Sequence, residues 1–330
     1  MRAVPERDDC TPAAFAEIMQ NCRPVVLRRL VSHWPVVEAG LRSPQALRDY
    51  LLRFDAGRSL DAFFGAPEIA GRYFYGAGLD GFNFEKRTLF FAAAMNAIVA
   101  GIGMPDSPSI YAGSLPVEEY LPGFARENVM TLTGASARIW LGHAAKVAVH
   151  YDAMDNIACV IAGRRRFTLY PPEATAKLYV GPIDHTMAGQ PVSLAASAPD
   201  PARYPVFEDV RNDALVAELE PGDALYLPKL WWHGIEATAP LNALVNYWWD
   251  GFRIGPDAPY TALLLALITI AERPPGERAA WRAYFDHYVF RPDGHPLRHL
   301  PPDQHGILGP LKPDNYGRIR AWVMHLLRGS

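Results

Sequence analysis

The triplet His150-Tyr151-Asp152 places an imidazole and a carboxylate two residues apart. On a strand, positions i and i+2 point to one face, so the two groups could serve one centre. They make two thirds of a facial triad of two histidines and one carboxylate, the ligand set that leaves three positions of a non-haem ferrous ion open. The triplet alone is weak evidence, because a chain with ten histidines supplies about half such a match by chance. A strand-end pair exposed at a turn would read the same way. A second histidine, His233, follows a Pro-Gly-Asp turn and an apolar run in "EPGDALYLPKLWWHG" (220–234). Read alone it is an ordinary half-buried histidine packed by Trp231 and Trp232. A barrel could nevertheless bring it beside the first pair without any local spacing.

The elements that must position these residues are short. Ala137–Leu141, Lys146–Asp152, Ile157–Ala162, Arg165–Tyr170, Ala214–Leu219, Ala224–Leu227 and Ala243–Trp249 are rich in β-branched or aromatic residues. Turn signals such as Ala162-Gly163, Pro171-Pro172 and Pro221-Gly222-Asp223 separate them, which predicts an antiparallel sandwich or barrel. Thr11-Pro12 and Ser43-Pro44 each look like an N-cap before a proline at the first helical position, so helices are expected near 12–21 and 43–54. Pro24–Arg28 suits a strand and Thr88–Ala100 a third helix. Near the C-terminus, Trp281, Tyr284, Phe285, Tyr288 and Val289 form one helical stripe, and Tyr316, Ile319, Val323, Leu326 and Leu327 another. Residues 260–271 are apolar on all sides, so that helix is expected to be buried in the core or in a subunit interface. The expected plan is a helical and strand layer over 1–108, a β core over 109–253, and a helical region over 254–330.

Composition narrows the function classes. The chain has 330 residues and a formal net charge of −3, so no overall basic field argues for nucleic acid. Half of the residues are hydrophobic, ample for a packed core. Three cysteines (Cys10, Cys22, Cys159) with no CxxC exclude a disulfide framework and a zinc knuckle. A reducing compartment fits best. The N-terminus carries charge and no apolar run, and no stretch reaches the roughly 18 to 20 apolar residues that span a bilayer. A cytoplasmic protein with no membrane partner is expected.

Three stretches, "HYDAMDNIACVIAGRRRFTLYPP" (150–172), "EPGDALYLPKLWWHGIEA" (220–237) and "NALVNYWW" (242–249), resemble the JmjC-type, cupin-like oxygenases. These use Fe(II) and 2-oxoglutarate, and the similarity is to the branch that includes the asparaginyl hydroxylase of hypoxia-inducible factor. The resemblance implies a mainly β fold with flanking helices, a double-stranded β-helix (jelly-roll, cupin) core with an N-terminal α/β layer and a C-terminal helical tail. It implies His150, Asp152 and His233 as catalytic metal ligands. It also implies that Arg165 stands where the family keeps a lysine for the distal carboxylate of 2-oxoglutarate. Arginine suits that task, because its planar fork binds carboxylate bidentately. Strand parity puts Arg165 on one face with Phe167 and Leu169, and Arg164 and Arg166 on the other. A buried guanidinium needs an anionic partner.

By the same resemblance, Asn156, Asn246 and Trp248 lie near the metal and cosubstrate, and Tyr111 helps to hold the cosubstrate. Asn156 has the opposite parity to Arg165 in a regular strand, so a bulge at Gly163 is expected to restore a common face. Three residues before His150 the family has Thr or Ser. Here Val147 stands there, and Lys146 beside it is expected to contribute charge instead. Cys159 reads as a buried small hydrophobe and His143 as a loop histidine. Tyr73, Phe74, Tyr75, Phe82 and Phe84 read as core packing with some residues at the entrance. His287, His295, His299 and His305 read as surface or structural.

The activity so implied is a 2-oxoglutarate-dependent dioxygenase, a hydroxylase that consumes O2 and releases succinate and CO2. Its substrate would be a protein side chain or a small molecule. The alternatives are a binding or sensing module without turnover, and a cupin enzyme with Zn, Mn or Ni and no 2-oxoglutarate. Specificity is expected to lie in the loops of 173–213 and 71–85. The C-terminal helices suit a two-fold interface, which many relatives of this type use, so a homodimer is expected.

Overall fold

Fifteen short strands among the described residues carry the architecture, and the turn-punctuated middle of the chain supplies most of them. In chain order they are β1 (Arg2–Ala3), β2 (Glu6–Arg7), β3 (Val25–Leu27), β4 (Ser59–Gly65), β5 (Arg72–Tyr73), β6 (Glu85–Phe90), β7 (Ser109–Pro116) and β8 (Ala137–Gly142). There follow β9 (Ala145–His150), β10 (Asp155–Ala162), β11 (Arg165–Tyr170), β12 (Leu215–Leu219), β13 (Ala224–Leu227), β14 (Trp232–Ala237) and β15 (Asn242–Trp249). The structure is a computed structural model that describes residues 1–8, 10–76, 79–104, 106–186, 189–252 and 255–329. One sheet has nine strands in the order β2-β3-β13-β10-β15-β8-β7-β4-β6, and the other has six in the order β1-β12-β11-β14-β9-β5. From β8 onward the chain changes sheet at nearly every connection, which is the jelly-roll plan.

Apolar side chains from both sheets meet between them. Ala158 and Val160 of β10 pack with Phe167 and Leu169 of β11, Ala217 and Leu219 of β12, and Leu244 of β15. All eight residues of β10 are buried, because helices cover its other face. Those helices are α1 (Pro12–Gln20), α2 (Pro35–Arg42), α3 (Pro44–Leu52) and α4 (Phe91–Gly101). The expected caps form: Thr11 Oγ1 accepts from Ala14 N at 3.2 Å and Ser43 Oγ from Ala46 N at 3.0 Å. The sequence reading missed α2, whose N-cap residue Trp34 makes no side-chain cap bond, and it missed β4 and β7. The third helix starts at Phe91, since Thr88–Phe90 is recruited to β6 as the partner of β4.

The chain divides into two compact units, Met1–Gly251 and Phe252–Ser330. Residues 1–108 therefore share one unit with the β core, because β4 and β6 extend its larger sheet. The boundary expected between 253 and 254 lies outside the described residues. The second unit contains α5 (Pro259–Thr269), α6 (Pro275–Phe285) and α7 (Pro313–Arg328). Of the two burials expected for α5, in the core or in a subunit interface, the one in the core is not found. The helix has no buried residue, and Ile268 is 82% exposed. Among the described residues no helix is long and apolar enough to cross a membrane.

Candidate metal centre and adjoining cavity

His150 is the last residue of β9 and pairs directly with His233 of β14, a register no local sequence spacing records. Their rings lie 4.3 Å apart between centroids. Asp152 sits two residues beyond the strand, in the turn before β10, so the pair His150 and Asp152 is split between a strand end and a turn. The turn still brings the carboxylate in: Asp152 Oδ2 is 3.8 Å from His233 Nε2. One ligand atom each from His150, Asp152 and His233 falls within 4.8 Å of the others, a spacing that suits a shared metal ion.

The backbone sets which ring nitrogen each histidine offers. His150 Nδ1 faces Ala148 O at 2.8 Å, and His233 Nδ1 faces Trp231 O at 3.0 Å. A carbonyl accepts only from N–H, so both Nδ1 atoms carry the proton and both Nε2 lone pairs are presented. Burial, and next the neighbouring His150, push His233 down to about 4, which keeps it neutral and able to ligate. The two tryptophans before it anchor the segment. Trp231 Nε1 donates to Cys22 O at 3.0 Å and Trp232 Nε1 to Thr175 Oγ1 at 2.9 Å.

These three residues open on a cavity of about 540 Å³ between the sheets, also lined by Tyr111, Asn156, Arg165, Asn246 and Trp248. Arg165 is 3% exposed, with Phe167 and Leu169 on the same inward face, as its parity predicts. Burial lowers its pKa, and its Nε has no hydrogen-bond partner. Asn156 Oδ1 and Trp248 Nε1 are equally unpartnered in the same cavity. Such orphaned buried groups are costly unless a ligand satisfies them. Burial pushes the Tyr111 hydroxyl up to about 12, so it stays a donor. Asn246 Oδ1 accepts from Trp140 Nε1 at 2.9 Å, which leaves its amide nitrogen as the group it can offer.

Two local expectations are revised. The bulge near the β10–β11 turn lies at Ile161, between Val160 and Ala162, and not at Gly163. Gly163 instead takes φ +73° in the turn. Asn156 and Arg165 need no common parity, because β10 and β11 belong to opposite sheets and face each other across the cavity. The second revision concerns Lys146. Between His150 and Val147, β9 has one residue more than β14, which bulges the strand opposite Gly234. A Cβ at Gly234 would lie 2.8 Å from Val149 Cγ2, so the bulge is made room for by glycine. The extra residue inverts parity. Val147 lines the metal cavity, while Lys146 is exposed and lies with Arg72 and Glu236 in a separate concavity of about 570 Å³.

Other assignments sort by contact. Tyr73 and Phe84 line the metal cavity, as do Phe63, Ser114, Trp140, Met154 and Gln190, which the sequence reading did not single out. Trp140 was legible in principle from its parity in β8. Gln190 comes from the irregular 173–213 segment, where no pattern marks it. Phe82 stacks on His185 at 5.4 Å, and Tyr75 donates to His185 O at 2.5 Å. His143 is structural, bonding Ile110 N at 3.1 Å and Ile98 O at 2.7 Å. Cys159 is buried and its thiol is pushed up by burial. His295 stacks on His305 at 4.3 Å.

Comparison with known proteins agrees with this geometry. Residues 11–253 match the family described as a cupin-like domain. A Jumonji C domain-containing protein 5 of Drosophila melanogaster is 36% identical over 114 residues, 34% of this chain and 27% of that protein. The lysine-specific demethylase JMJ31 of Arabidopsis thaliana is 30% identical over 154 residues, 43% of this chain and 28% of the relative. Human HSPB1-associated protein 1 is 28% identical over 151 residues, 44% of this chain and 30% of the relative. The matched part spans less than a third of the length of each of these relatives. With its family match covering most of the chain and a jelly-roll core that gathers two histidines and an aspartate, this chain belongs to the cupin-like, Jumonji C-related family.

Proposed function

We propose that the protein is an Fe(II)- and 2-oxoglutarate-dependent hydroxylase, acting on a protein side chain or a small molecule. The observation that carries this reading is the meeting, in one cavity, of the His150, Asp152 and His233 ligand atoms with the buried Arg165 guanidinium, whose Nε has no partner. His150 and His233 would present Nε2 to the metal, and Asp152 a carboxylate oxygen. Arg165 would receive the distal carboxylate of 2-oxoglutarate, with Tyr111 and Asn246 as further donors. Asn156 and Trp248 would close the cosubstrate site. When bound, the ferrous ion with 2-oxoglutarate and O2 supplies substrate oxidation, with succinate and CO2 as coproducts. The chain's own part is geometry, charge compensation for the dicarboxylate, and a cavity that limits water.

The protein is mixed anaerobically with Fe(II) and 2-oxoglutarate, and the visible charge-transfer band of a chelated keto acid is sought. Oxygen is then admitted and succinate measured. The band and succinate are expected in the wild type and lost in His150→Ala and Arg165→Ala. Absence of both in the wild type overturns the reading. One observation favours a second reading, a sensing module without turnover: Val147 offers the cavity no hydroxyl. A band that never yields succinate would support it. We further propose that the exposed apolar faces of α5 and α7 pair two copies of the chain.

A further inference from the structure

Of the described residues that line the cavity, only Asp152 and Arg165 carry a formal charge beside the two histidines. Given the oxygenase reading, on which this proposal rests, a dication and Asp152 leave one positive charge and Arg165 adds another. The dicarboxylate cancels both. No charge remains inside to pair with an ionised reacting group, and an unpaired buried charge is costly. The group that reaches the metal is therefore neutral.

The margin of the cavity differs from its interior. Arg138 and Trp140 are two residues apart on β8 and share the face turned to the cavity, while Ala137, Ile139 and Leu141 face the core. Arg138 Nη1 donates to Ser114 O at 2.7 Å and to Ser114 Oγ at 2.9 Å. Its guanidinium also lies over the Trp248 ring, 5.8 Å from the centroid. Ser114 and Trp248 both line the cavity. Three contacts thus fix this cation against two residues that line the cavity, yet it forms no ion pair among the described residues. A second cation, Lys86, stands opposite Phe63 in register and lies over that ring at 5.3 Å. The carboxylate on the same face, Asp61, accepts a hydrogen bond from Thr88 Oγ1 at 2.7 Å.

We infer that the primary substrate pairs a carboxylate with Arg138 while it presents a neutral carbon to the metal group. Arg138 is thus a specificity-determining residue. A guanidinium already held in place loses little freedom when a carboxylate docks, and it repels cationic competitors. The carboxylate can belong to an acidic side chain of a peptide or to a small monocarboxylic acid.

The test supplies the Fe(II)-loaded protein with 2-oxoglutarate, O2 and one of three probes. These are peptides with Asp or Glu flanking a varied neutral residue, the same peptides with Lys in place of the acids, and small aliphatic monocarboxylic acids. One carboxylate arm is expected to raise succinate formation about fivefold or more over the substrate-free rate and to gain one oxygen atom. The arm that responds identifies the source. Arg138→Glu is expected to raise KM for that probe about tenfold with kcat little changed, and Arg138→Lys to recover most of the loss. Stronger stimulation by the Lys peptides, silence of both carboxylate arms in protein that shows the keto-acid band, or an unchanged KM in Arg138→Glu overturns the inference. A wild type without the band overturns the oxygenase reading instead.

Discussion

The backbone N–H of Leu230 donates to the carbonyl of Asp152 at 2.8 Å, so the turn that carries the carboxylate is tied to the loop that leads to His233. Leu230 holds φ +66° to make this bond and is 47% exposed, so packing alone does not explain the conformation. A left-handed residue that is not glycine costs about 1–2 kcal/mol, which the tie between the two ligand segments offsets. Leu230→Gly keeps the N–H and accepts the positive φ. Leu230→Pro removes the donor and imposes φ near −65°. Cobalt(II) titration followed by visible absorption is expected to show the glycine variant within about threefold of wild type and the proline variant weaker by tenfold or more. Equal affinities would show that this bond does not hold Asp152 for the metal.

Arg165 is expected to be a burden to the empty protein and an asset to the loaded one. Replacing a buried, incompletely paired charge by an apolar side chain of similar length is often stabilising, by about 1–4 kcal/mol. Arg165→Met should therefore unfold at higher denaturant in metal-free buffer, yet gain nothing from added 2-oxoglutarate. Wild type should gain stability as 2-oxoglutarate with metal is raised. A destabilised Arg165→Met would mean that the protein itself satisfies the guanidinium.

The bulge in β9 separates the roles of adjacent residues. Lys146→Ala, on the outer concavity, is expected to leave 2-oxoglutarate affinity within about twofold, since an exposed charge outside the cavity is screened. Val147→Thr adds a hydroxyl inside the cavity and is expected to tighten 2-oxoglutarate by about tenfold or more, the scale of one hydrogen bond to a charged group. Titration of the keto-acid band measures both. The reverse ranking would place the strand in the other register.

The exposed face of α5 yields an oligomerisation test. Ile268 is 82% and Leu263 52% exposed in a single copy, so placing a charge there should not disturb a monomer's fold. Ile268→Glu is expected to convert a dimer at micromolar concentration into a monomer in light scattering, with the unfolding midpoint of the first unit unchanged. A wild type that is already monomeric would remove the case for pairing through these helices.

Much of this protein is written locally. His150 and Asp152 stand out by type and spacing, Arg165 by its alternation with Phe167 and Leu169, and the strands by their apolar runs between proline and glycine turns. Each of these signals depends only on the period of a strand or the φ of a turn. The tertiary structure decided what those periods cannot carry. It paired His233 with His150 across a ladder between strands more than 80 residues apart in sequence. It set Asn156 and Arg165 face to face from opposite sheets, where parity has no meaning. One extra residue in β9 sent Val147 inward and Lys146 out. It also brought Arg138 and Ser114 together at the cavity's margin, and left α5 without a buried residue in a single copy. The common reason is register: which residues meet across a sheet is fixed by bulges, turns and packing summed over the whole fold, and a one-residue shift turns a side chain from the cavity to the solvent.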